Sequence, residues 1–302
     1  MNHEAKKFNI SYQASFKSNS DNETMIWLVE PADLANQKIN KFAFNHKQDS
    51  EYSSNGNLIH SLKLAGKKIE LKVKIQATLS QKNISNEGLI ITTLSREISE
   101  QYLKSEKYLE QTREIINLTQ RTISGIKTYR EKVEEIFKYV VRNFKYCYPV
   151  TKRGVKNLDL DNLTGDCAEY SSLFVTMCRI AGVAARNVTG YVIFEDEKQI
   201  SEHGWAQVYV NGSWLDADTQ YASLENSIES GLRKYLFNRS DFRLIVSVGF
   251  NTKLRPQIPE SFDLTTAEKL GLIISSNVAQ VFQPLVFASK KHFVFEDEIA
   301  LD

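Results

Sequence analysis

The sequence predicts an α+β protein in which an all-β, sandwich-like N-terminal region precedes a domain of helices and antiparallel strands. Short apolar or alternating runs separated by polar turns dominate the chain from Phe8 to about Leu94. From about Ile98 the apolar residues recur three and four apart, as in amphipathic helices. Beyond them a helix-period segment is followed by several consecutive strand-like runs, which is typical of α+β domains. We therefore expect two domains, at residues 1–97 and 98–302.

Turn signals divide the N-terminal region into strands. Asn55-Gly56-Asn57 and the segment from Ala65 to Lys68 contain residues that tolerate a positive φ. Both predict hairpin turns, so at least part of this sheet should be antiparallel.

The second domain begins with amphipathic helices and continues with a loop, a helix and a sheet. The helices span about Ile98 to Tyr146, and their charged faces are expected to be solvated. After Pro149 a polar stretch leads to AEYSSLFVTMCRIAGV, a helical segment that ends at Gly182. The runs ARNVTGYVIF, HGWAQVYVN and SWLDADTQY follow as strands, and the last two are joined by Asn211-Gly212.

Composition excludes several classes of partner. The chain of 302 residues has 38 basic and 37 acidic residues, so its net charge of +1 provides no field for nucleic acid or an anionic membrane. The N-terminus lacks the apolar run of a signal peptide, which predicts a cytoplasmic location. The apolar stretch from Leu270 to Ala288 is interrupted by Asn277, Gln280, Gln283 and Pro284, so we expect protein core and no membrane span.

Cys167 is the strongest candidate nucleophile. It follows Asp166 at the start of the helical segment, where Asp166 and Glu169 can cap the first turn. The positive end of the helix dipole should lower the pKa of this thiol. The other two cysteines, Cys147 and Cys178, lack this setting and are expected to be buried packing residues.

A nucleophilic cysteine needs a base, and His203 is the best of five histidines. It begins the strand HGWAQVYV, and Asp218 ends the next strand. If these strands pair across the Asn211-Gly212 turn, His203 and Asp218 lie at corresponding ends of neighbouring strands. That arrangement suits a base and the acid that orients it.

The segment from Leu163 to Tyr221 resembles the core of the transglutaminase-like superfamily. The matching residues are Gly165 and Cys167 before the helix, Arg179, Gly182, Val183, Ala185 and Arg186 at its end, and then His203, Trp205, Trp214, Asp218 and Thr219. The flanking regions look like those of bacterial transglutaminase-like proteins. This resemblance implies a papain-like core, with the cysteine helix packed on an antiparallel sheet. Two departures are the missing proline between Asp218 and Thr219 and the nearby Asp216, which is the alternative acid.

The resemblance also implies a Cys167–His203–Asp218 triad that transfers acyl groups from peptide or protein amides through a thioester. Trp205 and Trp214 are candidates to line the substrate tunnel, although packing beneath the sheet is the alternative. The backbone amide of Cys167 is a candidate oxyanion donor. No cofactor is expected, and no metal, because Asp159 to Asn162 lacks the spacing of a calcium loop.

Two functional alternatives stay open at this point. The acyl group can pass to water, as in a protease or amidase, or to an amine, as in a transamidase, and the choice depends on pocket shape. The fold can also serve as a catalytically silent scaffold or binding module. The filled triad positions favour an enzyme.

Overall fold

A computed structural model describes residues 5–81, 94–150, 152–196, 198–239, 241–265, 273–280 and 283–302. Within these ranges the helices are, in chain order, α1 (Arg96–Tyr102), α2 (Arg113–Thr122), α3 (Tyr129–Asn143), α4 (Cys167–Ile180), α5 (Thr219–Ala222) and α6 (Ile228–Tyr235). The strands are β1 (Ala5–Glu30), β2 (Gln37–Phe44), β3 (Ser50–Ser54), β4 (Asn57–Ser80), β5 (Lys145–Tyr146), β6 (Thr164–Gly165), β7 (Ala185–Phe194), β8 (Gln199–Val210), β9 (Ser213–Ala217), β10 (Phe242–Val248), β11 (Thr252–Lys253), β12 (Ile273–Ser275), β13 (Val278–Ala279), β14 (Leu285–Ser289) and β15 (Val294–Leu301). The protein is thus a mixed α+β chain, as the sequence predicts.

The chain divides into two compact units. The core unit comprises Lys82–Val188 and Gly204–Ser240, and the sheet unit comprises Asn2–Gln81, Thr189–His203 and Asp241–Asp302. This division differs from the split expected between residues 97 and 98, because the C-terminal residues group with the N-terminal strands. Strands β14 and β15 both pair antiparallel with β1. Pairing between strands so far apart in sequence leaves no local signal.

The sheet unit is built on long antiparallel strands. Strands β1 and β4 pair from Ala5↔Ser80 to Glu30↔Leu58, with a register shift between Lys17 and Asn22. Buried apolar residues alternate with exposed ones along the first half of β1, which gives one face to the core. That face packs with buried residues of β7 and β10, which include Tyr191, Phe242 and Leu244. The expected antiparallel, β-rich N-terminal region is confirmed.

One of the two predicted N-terminal turns forms. Asn55 and Gly56 both have positive φ values, of 52° and 80°, and join β3 to β4. The turn expected at Ala65 to Lys68 is wrong, because β4 runs through it without interruption. Gly66 has a φ of 149° and lies where the register of β1 against β4 shifts. A glycine in a strand interior can mark an irregularity of the pairing as well as a turn, and here it lies at the register shift.

The apolar stretch Leu270–Ala288 is core where it forms β14, since Leu285–Ala288 are buried there. Residues 270–272 and 281–282 lie outside the described residues. No helix within the described ranges has the length and apolarity to cross a bilayer.

The core unit is organised around α4. Apart from its first two residues and Ile180, every residue of this helix is buried, including polar ones. Helix α3, which begins with a capping box between Thr128 and Glu131, packs on it through the edge-to-face pair Phe137 and Phe174. Strand β9 pairs antiparallel with β8 across Asn211-Gly212. A helix surrounded by other elements in this way can hold a side chain at its end in a fixed position.

Candidate active site

Helix α4 begins at Cys167, as the sequence predicts. Asp166 is the N-cap residue, and its carboxylate accepts a hydrogen bond from the backbone N–H of Ala168 at 2.9 Å. Cys167 therefore occupies the first helical position, where backbone N–H groups have no partner inside the helix. Its side chain is partly exposed. A partly exposed thiol at the start of a buried helix can meet a substrate.

The short strand before Cys167 approaches α4 closely at Gly165. A Cβ atom at this position would lie 2.5 Å from Cβ of Glu169, so a side chain here would push the strand away from the helix. Strand β6, which ends at Gly165, pairs in parallel with β5, and the N–H of Cys147 donates to the carbonyl of Gly165 at 2.8 Å. Glycine thus brings the segment that carries Cys147 beside the start of α4.

Arg153 joins the two acidic residues of the first turn. Its guanidinium donates to both oxygens of Asp166, at 3.1 and 2.7 Å, and to Glu169 at 2.8 Å. Burial raises the pKa of Glu169 to about 7. Asp166 is also buried, but hydrogen bonds from Arg153 and Glu169 hold the pKa of Asp166 below its usual range. The Glu169 carboxyl, when protonated, thus donates a hydrogen bond to the Asp166 carboxylate, and one arginine balances the charge of the pair.

The surroundings of Cys167 favour the neutral form of its thiol. Burial raises its pKa to about 12, the negative charge of Asp166 adds to the increase, and a hydrogen bond from the backbone N–H of Gly204 opposes it. The expected lowering of the pKa by the helix start is therefore wrong. The dipole contributes only a partial charge, while burial and the adjacent carboxylates all favour the neutral thiol. A base is needed to remove this proton.

The backbone group that reaches the sulfur belongs to the residue directly after His203. Gly204 and His203 are consecutive in β8, and His203 is buried. Asp218 is also buried; it caps α5 by accepting a hydrogen bond from the N–H of Tyr221 at 3.0 Å. The charge of Asp218 also raises the pKa of Cys167. Cys167, Gly204 and Asp218 therefore lie together in the core unit, and the roles of His203 and Asp218 stay predictions.

Asp216, the alternative acid, takes part in a buried polar network. One of its oxygens accepts from Gln207 at 2.9 Å and the other accepts from Arg239 at 2.6 Å. Gln207 in turn accepts two hydrogen bonds from Arg186. Both Asp216 oxygens thus satisfy buried donors, and this supports Asp218 as the acid that orients a base.

The two tryptophans have different surroundings. Trp205 is fully buried. Trp214 is partly exposed and packs against the rings of Tyr102 and Tyr209, and the guanidinium of Arg186 lies 4.0 Å from its ring centroid. These contacts fit a packing role, and a substrate role for either residue stays a prediction.

The remaining cysteines divide into one buried and one exposed residue. Cys178 is fully buried in α4, as expected. Cys147 is exposed, so its expected burial is wrong. The aromatic residues on both sides of it suggested core packing, but Tyr146 and Tyr148 are themselves 57% and 71% exposed. Within the described ranges, no group of three or more His, Cys, Asp or Glu side chains is placed to hold a metal ion.

The sequence alone does not point to Arg153 or Gly204. Arg153 is a single arginine in a polar loop, and its two carboxylate partners lie 13 and 16 positions further along the chain. No spacing rule connects such residues. Gly204 offers a weak signal, since glycine beside a candidate base permits close approach of its backbone to another group.

In this fold Cys167 is the first residue of the buried helix α4. Its sulfur contacts Gly204 of the antiparallel strand β8, which also carries His203. Residues 116–219 match the family model of the Transglutaminase-like superfamily. About a third of the chain is therefore similar to the transglutaminase-like core.

Solved structures that are similar to the chain include the following two. A candidate cysteine protease from Cytophaga hutchinsonii has 17% sequence identity and a TM-score of 0.59, covering 99% of this chain and 91% of that one. The periplasmic domain of TgpA from Pseudomonas aeruginosa has 14% identity and a TM-score of 0.40, covering 75% of this chain and 93% of that one. No curated protein matches the sequence significantly. The first similarity extends over nearly the whole chain and shows a shared fold.

Proposed function

We propose that this protein is a cysteine-dependent acyl-transfer enzyme that acts on peptide or protein amides through a thioester. The observation that carries the proposal is the placement of Cys167 at the start of α4, in hydrogen-bond contact with the N–H of Gly204 and within reach of the Asp218 charge. His203 directly precedes Gly204 in β8. The candidate base is thus the chain neighbour of a group that touches the nucleophile.

In the proposed reaction His203 removes the proton from the Cys167 thiol as the sulfur attacks an amide carbonyl carbon. The carbonyl oxygen becomes an oxyanion, and the backbone N–H of Cys167 stabilises it. When the intermediate collapses, the C–N bond breaks, His203 returns the proton to the leaving nitrogen, and a thioester forms on Cys167. Asp218 holds the imidazole in the tautomer that accepts the thiol proton.

The thioester then transfers its acyl group to water or to an amine. His203 removes a proton from the incoming nucleophile, the C–S bond breaks, and the proton returns to the sulfur. With water the product is a carboxylic acid, and with an amine it is a new amide. We propose the reaction up to the thioester and leave both acceptors as alternatives. The cytoplasmic location also stays a prediction.

A catalytically silent scaffold is the second candidate, and the raised pKa of Cys167 favours it. A thiol with a pKa of about 12 has almost no thiolate near neutral pH. The enzyme hypothesis therefore requires His203 to accept the proton of the Cys167 thiol when substrate is bound. If His203 cannot accept this proton, the fold retains only a capacity to bind.

Mass spectrometry of a blocked glutamine peptide, with and without a primary amine, separates these possibilities. We expect wild-type protein to produce deamidated or cleaved peptide in water, or the amine adduct, and His203→Ala to lower the rate by about 10³-fold or more. If wild-type protein and buffer give the same products across a set of such peptides, the enzyme proposal fails and the scaffold remains.

A further inference from the structure

The segment from Lys145 to Pro149 presents two aromatic side chains to solvent. Tyr146 is 57% exposed and Tyr148 is 71% exposed. Cys147, between them, is also exposed. Tyrosine is intermediate among residue types in how often it is buried, and it is enriched at binding surfaces because it has a large apolar ring and a polar end. Two such rings within three residues form a small, unusually apolar surface.

This surface lies beside the candidate nucleophile. Strand β5 pairs in parallel with β6, with Tyr146 opposite Gly165, and Gly165 is two residues before Cys167. The N–H of Cys147 donates to the carbonyl of Gly165 at 2.8 Å. The pKa of Tyr146 is raised by burial and then by the negative charge that Cys167 can carry. The Tyr146 hydroxyl and the Cys167 sulfur are therefore close enough to interact electrostatically.

The backbone of β5 is suited to bind an extended chain. Lys145 donates its N–H to the carbonyl of Leu163, just before β6, and Cys147 donates its N–H to the carbonyl of Gly165 in β6. In a parallel ladder, alternate residues point to opposite edges, so the N–H and C=O of Tyr146 point away from β6. In the described part of the chain, β5 pairs with β6 alone. An extended peptide can add to this edge as a further strand, with its side chains next to the two tyrosines.

We propose that the outer edge of β5, with Tyr146 and Tyr148, binds the acyl-donor peptide as an added strand and favours aromatic or bulky apolar side chains near the reactive amide. Backbone hydrogen bonds to Tyr146 hold the peptide in register, and the tyrosine rings select its side chains. The claim that the bound peptide contains an amide that reacts with Cys167 rests on the proposed function. The docking of an extended peptide stands on the geometry of β5.

The position of Cys147 supplies a direct probe of docking. In a Cys167→Ala protein two cysteines remain: Cys147, which is exposed, and Cys178, which is fully buried. Iodoacetamide labels the exposed thiol, and a peptide on the edge of β5 shields it. The two probes are blocked heptapeptides, AFAQAFA and ASAQASA, which differ only in whether phenylalanine or serine flanks the glutamine.

We expect AFAQAFA to slow labelling of Cys147 and to reach half-protection at a concentration about three- to tenfold lower than ASAQASA, the range of one or two aromatic contacts. Tyr146→Ala and Tyr148→Ala, each in the Cys167→Ala protein, should remove most of this difference. Tyr129→Ala is the matched control. Tyr129 is 43% exposed and its ring lies near Gly182, past the opposite end of α4. The control should keep the preference.

Equal labelling of Cys147 with both peptides would overturn the inference, and so would a preference that survives both tyrosine substitutions. The measurement uses a protein without the nucleophile, so it is independent of turnover. If docking holds and wild-type protein shows no turnover, the proposed function fails alone. If turnover occurs without protection of Cys147, the docking inference fails alone.

Discussion

Cys167 and Cys178 lie on the same helix and have different surroundings. They are 11 residues apart, which is about three turns, so both project from nearly the same side of α4. Cys178 is fully buried in α4, and burial alone raises the pKa of its thiol. Cys167 is partly exposed as a residue; burial of its thiol also raises the pKa, but this thiol in addition contacts the Gly204 N–H and lies near the carboxylates of Asp166, Asp218 and Glu169. Two cysteines on the same side of one helix therefore differ in the polar groups that surround their thiols.

The difference lies in what surrounds each end of the helix. Each end of α4 has an arginine that forms ion pairs with acidic residues. Arg153 pairs with Asp166 and Glu169, and Nη1 of Arg179 lies 2.7 Å from Oε1 of Glu106. At the C-terminal end Arg179 also donates to the carbonyl of Ala185 and fixes the connection to β7. At the N-terminal end Arg153 balances carboxylates next to a thiol. The ion pair at the C-terminal end of α4 thus stabilises the packing of the helix. The ion pairs at the N-terminal end set the charge near the Cys167 thiol.

The largest expected effect separates the two cysteines directly. Cys167→Ala should lower turnover of an amide peptide by at least about 10⁴-fold, because it removes the attacking atom. Cys178→Ala should leave turnover nearly unchanged and lower the free energy of unfolding by about 1 kcal/mol, since it removes a buried packing group. Kinetics and urea unfolding of both variants check this. A loss of turnover in Cys178→Ala comparable with that of Cys167→Ala would contradict the account.

The two aspartates near the end of β9 give the next contrast. Asp218→Asn should lower turnover by about 10⁴-fold with little loss of stability, if Asp218 orients His203. Asp216→Asn should instead destabilise the protein by about 3 kcal/mol, because buried Arg239 loses its carboxylate. Turnover is measured per folded molecule. The reverse pattern would assign the orienting role to Asp216.

The two arginines test whether the ends of α4 differ in electrostatics. Arg153→Met leaves Asp166 and Glu169 without their cation, and both carboxylates raise the pKa of Cys167. We expect turnover and iodoacetamide labelling of Cys167 near neutral pH to fall about tenfold, which corresponds to one pKa unit. Arg179→Met should destabilise the fold by about 3 kcal/mol and leave both rates unchanged. Equal effects of the two substitutions on labelling would refute the contrast.

The smallest expected effect concerns pH and Glu169. The folded-state pKa of Glu169 is raised from 4.5 to about 7 by burial, so the folded protein holds this proton more tightly than the unfolded chain. Its contribution to stability is complete below about pH 4.5 and is lost as the pH rises through 7. Glu169→Gln mimics the protonated side chain and should flatten this decline. Urea unfolding between pH 5 and 8 checks the difference, and parallel curves for the two proteins would count against a protonated Glu169.

Local signals in the sequence were enough to place much of the site. The N-cap residue Asp166 marked the start of α4, and the run from Ala185 to Phe194 coincides with β7. The Asn211-Gly212 pair correctly joined β8 to β9. Capping residues, strand periodicity and positive-φ turns act over a few residues, so they are readable from the chain itself.

Features that depend on distant residues were not readable in this way. The pairing of β14 and β15 with β1 joins opposite ends of the chain. The segment of Cys147 pairs with Gly165, 18 positions along the chain, and the pKa of Cys167 depends on burial and on groups as distant in sequence as Gly204 and Asp218. Burial outweighed the helix dipole, and no local pattern reports that balance.

The central claim is that Cys167 forms the thioester, and trapping of the acyl-enzyme tests it most directly. Wild-type protein is mixed with a blocked glutamine peptide, quenched in acid within the first turnover and mapped by mass spectrometry. The account predicts an acyl group on Cys167 that hydroxylamine removes, and none on Cys147 or Cys178. Turnover that proceeds while Cys167 stays unmodified, or an acyl group on Cys147 instead, would contradict it.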